Sequence, residues 1–147
     1  MGIVSRTSTK RLGALAGAVL LAAELAGCSS QAGAAAAPAH CIAVSQDLLA
    51  QIEVGARPGT PLALKAGSAV QARKGVFVVA ARFLGDKEVP VVGVWTVVAL
   101  HGRAAPILVA DVNASAYSTW TSVEEFPQFG VPLHSPTIAA ARACLHG

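Results

Sequence analysis

The chain has 147 residues, 54% of them hydrophobic and 13% charged, with three cysteines and a formal net charge of +3. That composition excludes an intrinsically disordered chain and suits one packed domain. Most of the positive charge belongs to the N-terminus: without Arg6, Lys10, Arg11 and Glu24, 8 basic and 7 acidic residues remain, which excludes the clustered cationic face of a nucleic-acid binder.

The first element is a basic stretch followed by an apolar run over 12–23. The run has the length of a secretory hydrophobic segment and falls short of the ~20 apolar residues of a spanning helix. It closes on Leu25-Ala26-Gly27-Cys28. This layout resembles the signal peptide of bacterial lipoproteins, whose lipobox cysteine is lipidated and becomes the first residue after cleavage. The resemblance implies a signal peptide over 1–27, a diacylated Cys28 and anchorage to the outer face of the cytoplasmic membrane. One acyl chain holds only marginally, at ~0.8 kcal/mol per buried methylene, so two or three on one cysteine give lasting attachment. Residues 28–39 have small side chains and no periodicity, and read as a flexible tether that spans ~20 Å on average and ~40 Å at most.

With Cys28 lipidated, Cys41 and Cys144 remain, and export to an oxidising compartment favours a disulfide between them. Closing a loop of roughly 100 residues is worth ~4–5 kcal/mol in the chain-entropy model. The alternative is a zinc site of His40, Cys41, Cys144 and His146. It is disfavoured because adjacent side chains such as His40 and Cys41 diverge rather than chelate one ion.

Over 44–55 the apolar residues Val44, Leu48 and Ile52 recur at helical spacing behind Ser45 as N-cap, with Asp47 in the first turn and Gly55 to end the helix. Three β-rich runs follow, over 76–84, 91–100 and 107–112, and a weaker strand is conceivable within 62–72. The connections are too short for parallel crossovers, so neighbouring runs pair antiparallel. A last helix begins at Ser135-Pro136, with Ile138, Ala141 and Leu145 on its apolar stripe. The expected fold is α+β, one domain over 40–147: a small antiparallel meander of three to four strands with a helix at each end, closed by one disulfide. The strand runs are apolar at nearly every position, so both sheet faces must be covered. Two helices can cover one face, leaving the other to the 113–135 segment, a second protomer, a ligand or a partner.

Candidate chemistry is sparse. Arg82, Thr96 and Asp111 interrupt the strands, and a tight meander sets Thr96 opposite Asp111 with Arg82 on the face of Trp95. Tyr117 and Trp120, three residues apart, form either a stacking surface for a sugar or peptide or a lid over the sheet. His101, Asp111 and one of Ser115, Ser118 or Ser122 supply the letters of a triad, which only geometry can establish. No G-x-S-x-G elbow, H-E-x-x-H, P-loop or dinucleotide fingerprint occurs. Glu124-Glu125 reads as a solvated loop, Arg73-Lys74 as a turn, and His134 as structural or exposed.

Val92-Gly93-Val94-Trp95 and Val109-Ala110-Asp111, set between the two terminal cysteines, are similar to cores of small secreted proteins and lipoproteins of high-GC Gram-positive bacteria. That group has no assigned activity, so the resemblance implies no catalytic residue. The sequence therefore points to a membrane-anchored module that binds a protein or glycan partner in the envelope through Tyr117, Trp120, Trp95, Asp111 and Arg82. It calls for no cofactor, metal or nucleic acid and leaves the oligomeric state open. A small extracytoplasmic hydrolase is the alternative.

Overall fold

The computed structural model describes residues 40–146, and an antiparallel five-stranded sheet runs through them. Strand β1 (Ile42–Ala43) leads into helix α1 (Gln46–Glu53). Then come β2 (Leu64–Arg73), β3 (Val76–Leu84), β4 (Pro90–Val97) and β5 (Ile107–Val109), followed by α2 (Val112–Tyr117) and α3 (Pro136–Ala143). The strands pair in chain order, β1-β2-β3-β4-β5, as a meander requires. Residues 1–39, with the expected signal peptide, lipobox and tether, lie outside the described residues. No helix among the described residues is long and apolar enough to cross a membrane.

Both terminal helices start where their caps dictate. Ser45 accepts from Leu48 N at 3.3 Å, and Ser135 accepts from Ile138 N at 3.4 Å with Pro136 at the first helical position. The fold is α+β, but richer than expected. The weak run over 62–72 lies largely within a ten-residue strand, and β1 adds a short edge, so the described residues hold five strands rather than three or four. The run over 107–112 stops being a strand at Val109. Asp111 then caps α2, its carboxylate accepting from Ala114 N at 2.7 Å, so the described residues hold a third α-helix.

The two terminal helices do not share a face. Helix α1 sets Leu48, Leu49 and Ile52 over Val79, Phe83, Trp95 and Val97. Helix α3 sets Ile138 and Ala141 over the opposite face, on Val78, Ala80 and Val94. The reason is one of area. A helix of eight residues is ~12 Å long, against ~19 Å across five strands. Neither helix alone can shield a face, so each has a partner segment: α2 with Trp120 beside α1, and Val123, Phe126 and Val131 beside α3. The 113–135 segment thus divides between the faces instead of sealing one. Fully burying a side chain such as Leu48 or Ile52 contributes roughly 1.5–3 kcal/mol, which sets the weight of this packing.

Cys41 and Cys144 form the disulfide, with their Cα atoms 5.6 Å apart and 103 residues between them in sequence. Each sulfur holds the other, so the alternative zinc site of two thiolates and two imidazoles does not form. Two further contacts fix the end of α3: Arg142 pairs with Asp111 at 2.5 Å, and the Arg82 guanidinium donates to Leu145 O.

Candidate functional site

The last turn of α1 and Gly55 just beyond it anchor two other segments. The Gln51 side-chain amide donates to Gly102 O at 2.8 Å and accepts from Ala104 N at 2.9 Å, which fixes the β4–β5 loop against the helix. The Trp120 indole donates to Ile52 O at 2.9 Å, satisfying a carbonyl at the helix end. Gly55 O accepts from the backbone and hydroxyl of Thr119, at 2.7 and 3.1 Å. Gly55 is required here because the indole of Trp120 occupies the space of any Cβ.

Between these pinned segments lies a cleft of about 400 Å³, walled by Val54, Ala105, Pro106, Trp120 and Phe126, with Arg103 among its lining residues. Val54 is 81% exposed, an apolar side chain facing water. A concave, largely apolar site with few polar groups, built from three separate elements, is the usual form of a small-ligand pocket. A wider groove of about 660 Å³ runs along Val123, Pro127, Val131, Pro132 and His134. Its walls come from one continuous segment, so it is not formed where separate elements meet.

The five residues expected to share a surface do not. Trp95 is fully buried beneath α1, its ring lying over Gly93, where a Cβ would sit 2.5 Å from the indole. It is core, not surface. Arg82 lies on the opposite face from Trp95, because it pairs with Val92 while Val79 pairs with Trp95, and strand side chains alternate. Thr96 faces Leu108 rather than Asp111 across β4–β5, because the observed register sets Asp111 three positions beyond the partner of Thr96. Asp111 lies beyond the strand, its side chain 7% exposed and engaged by both Ala114 N and Arg142.

Tyr117 and Trp120 are the lid, not a joint stacking platform. Helix α2 ends at Tyr117 and Ser118 is extended, so the two rings do not share a helical turn. Tyr117 packs edge-on against Phe83 at 4.9 Å, and its hydroxyl accepts from Asp86 N at 3.2 Å. Trp120 alone lines the cleft.

No triad assembles. His101 is exposed in the loop before β5, whereas Asp111 follows the other end of that strand. Ser118 is buried and donates to Ala114 O at 2.6 Å. A hollow of about 230 Å³ gathers Asp111, Ser115 and Ser122, and its described lining includes no histidine. Glu124 and Glu125 are exposed, as is His134. Arg73 of the expected turn donates to Gln128 O and so ties the β2–β3 hairpin to the segment below α3.

Sequence reasoning passed over Gln51, Val54, Arg103 and Phe126. One signal was present: Val54 lies off the Val44–Leu48–Ile52 stripe, an apolar residue on the polar side of a helix end. No family model, curated protein or solved structure matches the chain.

Proposed function

We propose that the protein is a lipoprotein of the outer face of the cytoplasmic membrane, attached through Cys28, whose domain works as a binding module. The observation that carries the reading is the braced apolar cleft at the end of α1, with Val54 and Trp120 in its wall. Binding there needs no group to ionise or react, only surface to bury. The resemblance of Leu25-Ala26-Gly27-Cys28 to a lipobox, and of the domain to small secreted proteins and lipoproteins of high-GC Gram-positive bacteria, supports the location. The placement of His101 before β5 and of Asp111 beyond its other end weighs against the hydrolase alternative, because a triad needs the imidazole within hydrogen-bond reach of the carboxylate.

Native mass spectrometry of full-length protein extracted gently from membranes tests the reading. The wild-type protein should carry acyl mass on Cys28 and retain a bound species. Val54→Lys should lose that species while folding normally, since an exposed substitution changes stability by only about 0.5 kcal/mol. Cys28→Ala should shift the protein to the aqueous phase on detergent partitioning. A bound species equally retained by Val54→Lys overturns the cleft, and lipid-phase partitioning of Cys28→Ala overturns the anchor.

A further inference from the structure

We infer that the cleft at the end of α1 is a site for a small aromatic carboxylate, with Arg103 as the anion's partner. The inference rests on the binding reading above and names the chemistry it would recognise.

Size comes first. At about 400 Å³ the cleft lies toward the lower end of the ~300–1,000 Å³ range of ligand pockets, so it suits a compact molecule rather than a long chain. The walls are next. Trp120 and Phe126 bring aromatic surface to the same cleft that Val54, Pro106 and Ile107 line with aliphatic surface. Ring against ring, edge-on or offset, adds to what area burial alone supplies.

Charge then selects among apolar molecules. Arg103 is exposed and forms no ion pair among the described residues, and no acidic residue is among the described lining of the cleft. Of the other polar side chains that line it, the Gln51 amide already meets Gly102 O and Ala104 N, the Trp120 indole already meets Ile52 O, and Thr121 offers an uncharged hydroxyl. The charged group among the described lining is therefore a guanidinium, whose planar fork matches a carboxylate bidentately. The loop that carries Arg103 is held to α1 by those two Gln51 bonds, so the cation's backbone is positioned before any ligand arrives.

The test uses full-length protein in lipid nanodiscs, with 2-naphthylacetate as probe and 2-naphthylacetamide as its neutral counterpart. Nitrogen–proton correlation spectra separate the indoles of Trp95 and Trp120. The acid should shift the Trp120 indole and the backbone amides of 103–105 saturably, leaving the buried Trp95 indole in place. The amide should bind about five- to tenfold more weakly, the effect of losing one charge-assisted contact at a partly exposed site. Arg103→Gln should abolish that difference. Equal affinity for acid and amide, or an Arg103→Gln variant that binds the acid as the wild type does, overturns the inference and leaves the cleft standing as a binding site. A Trp120 indole unmoved by either probe also overturns the inference, and the native-mass comparison with Val54→Lys then decides the broader reading separately.

Discussion

On the α1 face the sheet presents Phe83, Trp95 and Val97 to Leu48, Leu49 and Ile52, whereas on the α3 face it presents Val78, Ala80 and Val94 to Ile138 and Ala141. The first face buries large side chains and is closed by hydrogen bonds that radiate from the end of its helix. The second buries smaller ones, and its helix is tied down by a disulfide, an ion pair and the Arg82 contact to Leu145 O. The difference teaches how a short helix stays in place. Where side-chain area is ample, packing holds it and leaves the helix end free to brace a cleft. Where alanines limit the area, cross-links supply the restraint.

Breaking the disulfide should separate the faces most. Cys144→Ser should cost about 4–5 kcal/mol by loop entropy and lower the melting temperature by more than about 15 °C. Hydrogen exchange should quicken over 136–143 before 46–53. Loss of protection in α1 first would contradict the assignment. Next in size, Leu49→Ala should cost about 2–5 kcal/mol in urea unfolding, through its lost apolar transfer and the cavity left behind. Because the α3 face has lighter packing around Ile138, Ile138→Ala should fall at the low end of that range, and equal losses would erase the contrast.

The ion pair is smaller and separable. Asp111→Asn keeps the cap on α2 but not the charge and should cost about 1 kcal/mol, while Asp111→Ala loses both and should cost about 2 kcal/mol. A single value for the two variants would mean that the cap contributes nothing. Smallest is a change of opposite sign. Thr96 is 1% exposed, and its hydroxyl has no hydrogen-bond partner among the described residues. Thr96→Val should therefore stabilise by about 1 kcal/mol, as the removal of a buried unsatisfied group does. A destabilised variant would show that the hydroxyl has found a partner.

The sequence disclosed these elements unevenly, for physical reasons. Helices α1 and α3 were legible because Ser45, Ser135 and Pro136 are local signals that act through the nearest turn. Strand β3 was legible because valines and phenylalanines fill a nine-residue run bounded by turn glycines. Strand β2 was faint because Lys65, Gly67, Ser68 and Gln71 break the apolar pattern, and its conformation is fixed by pairing with β3 along nearly its whole length. Helix α2 was hidden because Asp111 looked like a polar residue within a strand, when its carboxylate is the cap. The cysteine pairing followed from counting. The cleft did not, because Gln51, Arg103 and Trp120 meet only through the fold, and no local rule relates residues so far apart in sequence.

The most direct test of the central claim is hydrogen exchange on the full-length protein in native membranes, compared with the same protein after purification through unfolding and refolding, which strips any bound species. Binding at the end of α1 predicts extra protection over 51–54, 102–106 and 120–126 in membranes that disappears on purification, with 136–143 unchanged. Protection confined to α3, or none that differs between the two states, would contradict it.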